Sequence, residues 1–517
     1  MSFEQNPLEQ LKLRGDRKEP PARPTFPQAD FERDVLRPGF DQHRAHLFTP
    51  SIQVLRAHTL MLAEQRLINE APAGRILAAL RVIETTGPEA VTYCSDAEDV
   101  IRAIDALLEK AVWPDSASSL RLARSLNDVN ATINHIWMRD TVLGILSAVL
   151  ALRERLTETA WQHLTTLMSA HTHSQVAQPT TLAHYLSAVI GPLQRDTARL
   201  RALFERVNRS PLGTAAFATS AINIRREPSA KLLGFDGLIE NGFDAVAATD
   251  HFQEFVSTLE ISAGGLSRFI QDLMYWVRTE VGAIQVGADF LQSSTLMPQK
   301  ENPAVLEHIR ARLAELHGAN ATMAAMIRST PVGEAAEFET GVRRPLLATA
   351  REYLTAIRLL SAVLKTMHVN RPLLANRAGR YFSTTTDLVD LLAIDFQVPY
   401  QHAFAITQQV IQTAVERGLD TMDLTSELID EAALRVIGEE IGIEVETLHQ
   451  CLAPRRFVER RSSLGGPAPG TVRAFLERER LARGREHGWI AETRDRIDQE
   501  LTRLDERASA LEASAKG

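Results

Sequence analysis

The chain has 517 residues, 44% of them hydrophobic, and a net charge of −8. That length and apolar content allow two or three domains with a large core. The negative balance, unbroken by any Lys/Arg run, excludes nucleic acid as a general partner. Only two cysteines occur, Cys94 and Cys451, with no pair at metal-ligand spacing. A disulfide framework and a zinc module are thereby excluded, and a reducing cytoplasm is the expected setting.

Residues 1–30 carry five prolines and no apolar stretch of the kind found in a signal peptide, so a flexible or surface-wrapping arm is expected. No run approaches eighteen consecutive apolar residues, and no membrane span is expected. Residues 31–124 read as an N-terminal helical domain, with Leu60, Met61, Ala63, Leu67 and Ile68 at helical spacing. Asp96, Glu98 and Asp99 are placed to open a further helix, which Trp113, Pro114 and Asp115 break.

Residues 125–375 change character. Ile133, Ile136, Trp137, Val142, Ile145, Leu146, Val149 and Leu152 predict one unbroken helix over 125–160. Further long helices are predicted over 179–207, with a kink at Pro192, over 244–282 and over 303–327. A helix of about thirty residues is roughly 45 Å long. Such helices bury their apolar stripes against one another or against another subunit, so the fold is expected to be all-α, a bundle of long helices. Residues 376–483 return to short helices divided by turns at Val398-Pro399, Gly418 and Gly465-Gly466-Pro467. Residues 484–517 form a charged tail, expected as an exposed helix.

Three polar islands lie at the ends of the long helices. The first is RSLNDVNAT, residues 124–132, in which Ser125 and Asn127 suit helix capping. The second is HTHSQVAQPTT, residues 171–181, read as a polar loop ahead of a proline-initiated helix. Its two histidines have no carboxylate or cysteine at useful spacing, so no metal is expected. The third is QSSTLMPQKENPAVLE, residues 292–307, where hydroxyls, Lys300 and Asn302 precede a helix that Pro303 opens. A helix N-terminus beside a lysine and an amide welcomes negative charge.

In order and spacing these islands resemble the fumarase/aspartase superfamily, most closely its argininosuccinate lyase branch. That branch carries S-R-N-D, then T-H-x-Q-x-A-Q-P, then G-S-S-x-M-P-Q-K-x-N-P. Here the counterparts are Ser125-Leu126-Asn127-Asp128, Thr172-His173-Ser174-Gln175-Val176-Ala177-Gln178-Pro179, and Ser294-Thr295-Leu296-Met297-Pro298-Gln299-Lys300-Glu301-Asn302-Pro303. The likeness covers roughly residues 50–480. It implies a three-domain, all-α fold whose central helices form a tetrameric core, and a homotetramer in which three subunits complete each site.

The implied reaction is anti elimination of an amine from a succinyl-type dicarboxylate or amino-acid substrate, releasing fumarate, with no cofactor. Ser294 matches the loop serine taken as general base. Lys300 and Asn302 would hold the aci-carboxylate, with loop N–H groups around Thr295 and Met297 helping. His173, oriented by Glu307, would serve at the leaving group. Ser125, Asn127, Thr172 and Gln178 would position substrate. Neither nucleic acid nor membrane is an implied partner.

Departures mark the substrate. The arginine of S-R-N-D is Leu126, and where relatives read P-x-A-Y-N-x-D-x-Q-E this chain places Glu334 at the tyrosine and Glu339 at the glutamine. Leu126, Glu334 and Glu339 therefore belong to a rebuilt pocket for the leaving amine, and the expected substrate is an N-substituted aspartate other than argininosuccinate. The alternatives are argininosuccinate lyase itself and a structural homologue without activity.

Overall fold

The computed structural model describes residues 26–95, 97–112, 119–333 and 341–515. Packing divides the chain into two units: residues up to Leu122 together with those from Arg507, and Ala123–Glu506. In the first, helices Arg37–Glu64, Glu70–Thr86 and Val100–Ala111 bury Leu55, Leu62, Ile76, Leu77 and Ile104. Asp99 caps the last of them, accepting Ile101 N–H at 2.7 Å. Asp96 and Trp113-Pro114-Asp115 lie outside the described residues.

The second unit is built on five long helices: α1 (Leu126–Gln162), α2 (Leu182–Val207), α3 (Asp250–Trp276), α4 (Ala304–Ser329) and α5 (Arg343–Thr366). The all-α class holds. By length and composition α1 is apolar enough to cross a membrane. Its Ile133 and Ile136 are instead buried, and Val142, Leu146, Val149 and Leu152 belong to the bundle's own core.

Three boundaries moved. α2 begins at Leu182, because Pro179 lies in a strand. The 244–282 prediction resolves into a short helix, Gly242–Ala247, and α3. Pro303 caps α4 from outside it, with φ −77° and ψ 57°. The sequence pattern also passed over α5, where Glu352 is buried among apolar neighbours and paired with Arg312 and Arg351.

Side-chain contacts fix the direction of each helix. His135, early in α1, meets the Val207 carbonyl at the end of α2 at 2.7 Å, and Thr166, just past α1, accepts Leu182 N–H at 2.9 Å. α1 and α2 are thus antiparallel. α3 starts beside His135, whose ring centroid is 4.7 Å from that of His251, and ends where Trp276 packs 4.8 Å from Tyr185 near the start of α2. α4 runs back along α3, as Asn320 meeting Ser257 at 3.0 Å shows. The starts of α2 and α4 therefore share one end of the bundle, and the starts of α1 and α3 share the other.

The tail expected to be exposed is a packed strut. Helix α6 runs from Pro469 to Ser514 and buries Val472, Leu476, Glu479, Arg483, Ile490, Ile497 and Leu504. Arg153 of α1, fully buried, donates to both carboxylate oxygens of fully buried Glu479, at 2.9 and 2.7 Å. Charges that read as solvated are the ones that pin this helix. A separate apolar cluster from Leu388 to Leu452 holds the short helices that precede it.

The bundle should be acid-sensitive through His135. Burial, with the neighbouring His251 adding to it, holds its pKa at about 3, below the ordinary 6.5, against the opposing pull of the Val207 carbonyl and of Asp250. An unfolded chain protonates this ring more readily than the folded one, so the stability it contributes is complete above pH 6.5 and is lost as pH falls from there toward 3. At pH 5 the loss amounts to about 2 kcal/mol. A His135→Asn variant should show a smaller drop in thermal midpoint between pH 7.5 and pH 5 than the parent. Equal drops would remove His135 as the cause.

Candidate active site

The first island is the start of α1. Ser125 is its cap: the hydroxyl accepts Asn127 N–H at 3.3 Å, and the Asp128 carboxylate accepts Ser125 N–H at 2.9 Å. Asp128 goes further, accepting Gly213 N–H at 2.8 Å and Ala215 N–H at 3.0 Å, and so fastens the 210–215 turn to the helix. Burial pushes its carboxyl up to about 6, against the pull of those three N–H bonds. The Ser-x-x-Asp spacing carried this signal in the sequence, where Asp128 had no role. Leu126 and Asn127 are half-buried beside it.

The second island is a hairpin. Strand β1 (Leu167–Thr172) pairs antiparallel with β2 (Gln175–Thr181), and Thr172 faces Gln175 across a two-residue turn. The turn is His173-Ser174, with φ of +54° and +62°. Two-residue hairpins favour left-handed backbone at both positions and ordinarily use Asn-Gly there. A histidine and a serine in that region cost on the order of 1 kcal/mol each, the kind of strain that collects at functional sites. It presents His173, exposed, at the tip. Thr172 is exposed beside it, and Gln178 donates to Thr386 Oγ1 at 3.3 Å, tying the hairpin to the helix Thr385–Ile394. Behind the hairpin lies a cavity of about 560 Å³, walled by His171, Gln175, Tyr275, Trp276 and Arg377.

The third island is a narrow ribbon. β3 (Gln292–Ser293) pairs with β4 (Glu301–Asn302), and Ser294 N–H donates to the Lys300 carbonyl at 3.1 Å, closing a loop of seven residues from Ser294 to Lys300. Inside the loop Ser294 Oγ accepts Met297 N–H at 3.0 Å and Leu296 N–H at 3.3 Å. Those two N–H groups thus serve the serine oxygen. Thr295, Met297 and Lys300 are exposed, Asn302 is half-buried, and Glu307 is exposed in the first turn of α4. Glu334 and Glu339 lie outside the described residues.

One chain brings two of these islands to the same end of the bundle and leaves the third at the other. The hairpin precedes α2 and the ribbon precedes α4, whereas Asn127 opens α1. At 37 residues, α1 separates the two ends by roughly 55 Å. Among the described residues no group of three or more His, Cys, Asp or Glu side chains is placed to hold a metal ion.

Residues 49–318 match the family model described as Lyase, and residues 382–459 the one described as Argininosuccinate lyase C-terminal. The argininosuccinate lyase of Methanothermobacter thermautotrophicus is 33% identical over 432 residues, 84% of this chain and 92% of that protein. Argininosuccinate lyase 1 of Shouchella clausii is 29% identical over 482 residues, 93% of this chain and 97% of that one. Among solved structures, EDDS lyase in complex with formate is similar at a TM-score of 0.85 and 26% identity, over 95% of this chain and 99% of the other.

Proposed function

The chain belongs to the fumarase/aspartase superfamily, in its argininosuccinate lyase branch, and is a carbon–nitrogen lyase; we propose that it releases an amine from an N-substituted aspartate to give fumarate. The base removes a Cβ proton of the succinyl group. The Cα–N bond then breaks with its electron pair on nitrogen, the double bond of fumarate forms, and His173, oriented by Glu307, returns a proton to the departing amine. Lys300 and Asn302 hold the carboxylate next to the ionising carbon, where charge develops. Ser125, Asn127, Thr172, Gln178, Thr295 and Met297 position the substrate, and Leu126, Glu334 and Glu339 are the residues we assign to selecting the amine.

The observation that carries this reading is Ser294 Oγ under two backbone N–H groups, at 3.0 and 3.3 Å. A serine removes a carbon-bound proton only when its alkoxide is strongly stabilised, and donors aimed at that oxygen are what lowers its cost. A second reading gives the proton to Thr295. Counted back from Met297, the G-S-S-x-M pattern sets Ser294 at its first serine and Thr295 at its second, and Thr295 is exposed. Substrate identity is tested by following fumarate absorbance with argininosuccinate and with a panel of N-substituted aspartates. A kcat/KM for argininosuccinate matching that of arginine-forming lyases would return the chain to that role.

The separation of Asn127 from His173 and Ser294 supports a site completed by other copies of the chain, in a cytoplasmic homotetramer whose sites each draw on three subunits. Asn127→Ala and Ser294→Ala chains should each be nearly inactive alone and regain activity when co-expressed, because mixed assemblies contain sites free of both lesions. Mixtures no more active than their parents would sink the shared site, as would a monomer by light scattering.

A further inference from the structure

At the end of the bundle that holds Leu126 and Asn127, two phenylalanines are displayed outward. The Phe217 and Phe243 rings stack with centroids 4.4 Å apart and planes 17° apart, yet they are 43% and 46% exposed. The backbone is shaped to keep them there. Phe217 rides a turn closed by Thr219 N–H donating to the Thr214 carbonyl at 2.9 Å, with Ala215 and Thr219 both left-handed at φ +53° and +60°. Gly242 allows the approach of the other ring: a Cβ there would stand 1.8 Å from the Phe217 carbonyl oxygen. Gly333, at φ +101°, passes close to the edge of Phe243. The turn is fastened to the first island through Ala215 N–H on Asp128, two residues from Leu126 on one side and from Phe217 on the other.

We propose that the Phe217–Phe243 pair, at the end of the bundle that holds Leu126, is the subsite for the amine half of the substrate, and that it takes an aryl group, so the substrates are N-(arylalkyl)aspartates. This rests on the lyase reading above. A stacked aromatic pair offers flat apolar faces that a further ring extends by offset stacking, and Leu126 places one more apolar side chain at that end of the bundle. Strained left-handed residues that hold large apolar side chains outside the chain's own core are not accounted for by the folding of that core, which would bury the rings.

The test compares fumarate release from N-benzyl-, N-cyclohexylmethyl- and N-methylaspartate by the full-length enzyme and by Phe217→Ala, Phe243→Ala and Phe243→Tyr. Stacking contributes enough to make the parent favour benzyl over its saturated counterpart by about fivefold. Either alanine variant should lower the benzyl-to-methyl ratio of kcat/KM about tenfold, mainly through KM, and Phe243→Tyr should restore most of it. Equal losses on all three substrates overturn the subsite, as does a loss of assembly size by light scattering, which would make the pair a subunit contact. Parent enzyme that releases fumarate from none of these three but does so from argininosuccinate or another N-substituted aspartate overturns this inference alone, whereas release from no N-substituted aspartate overturns the proposed reaction as well. Release from N-methylaspartate alone overturns the inference only.

Discussion

Ser294→Ala is expected to fold and assemble as the parent does and to lower kcat by at least about 10³-fold, within the range for loss of a general base together with the donors aimed at it. Thr295→Val should cost no more than about tenfold, the scale of one ordinary substrate contact. The contrast is informative because the two hydroxyls are adjacent and only one of them collects the N–H groups of Leu296 and Met297. Single-turnover measurement of fumarate release, with substrate bound to saturation, keeps the effect on the chemical step apart from binding. A larger loss at Thr295 would identify the threonine as the base and Ser294 as the residue that shapes its loop. Lys300→Met belongs in the same series. It should fall as far as Ser294→Ala if the ammonium carries both the alkoxide and the aci-carboxylate, and equal KM values would place its effect in the transition state.

Glu479→Ala should be the most destabilising substitution in the bundle. Arg153 and Glu479 are both fully buried, and Arg153 also meets Thr197 at 3.0 Å and Glu486 at 2.5 Å. Removing Glu479 takes two hydrogen bonds from the buried guanidinium and leaves it Glu486 alone as a carboxylate partner, a loss that approaches the cost of breaking a buried pair, about 3–5 kcal/mol. For a chain of this size that corresponds to a fall in thermal midpoint of roughly 3–5 °C. The double variant Arg153→Met with Glu479→Leu should recover part of the loss, since an apolar pair escapes the desolvation penalty while Glu486 and Gln194 each lose a partner. A single Glu479→Ala that unfolds at the parent's temperature would show that the strut helix contributes little to the bundle.

How much of this was legible depends on what kind of pattern each segment writes. α1 and α4 were readable because their apolar residues recur at helical spacing, and the Ser125–Asp128 capping box fixes where α1 begins. The 292–307 loop was readable as a polar approach to a helix. Its closure by Ser294 N–H on Lys300 was not, because backbone bonds leave no residue signature. The β1–β2 hairpin was invisible for a related reason: its strands alternate no apolar face, and its turn residues are not those that favour left-handed backbone. α5 and α6 misled in the opposite direction. Glu352, Glu479 and Arg483 look like solvated charge, and only their partners reveal that they are inside. The Phe217–Phe243 pair comes from residues 26 apart, brought together by a turn and a glycine, and no local pattern announces it.

The hairpin that carries His173 also limits how this gene can change. Its ladder shifts register between Ser169 and His171, opposite Ala177 and Gln178, and its turn has no spare residue. Side chains on a strand alternate faces, so inserting or deleting one residue anywhere from Thr172 to Gln178 would send the rest of β2 to the wrong side and part Gln178 from Thr386. Substitutions here can be absorbed singly. Changes of length cannot, and functional descendants of this sequence should keep the count of residues between Thr172 and Pro179 fixed even where every letter between them differs.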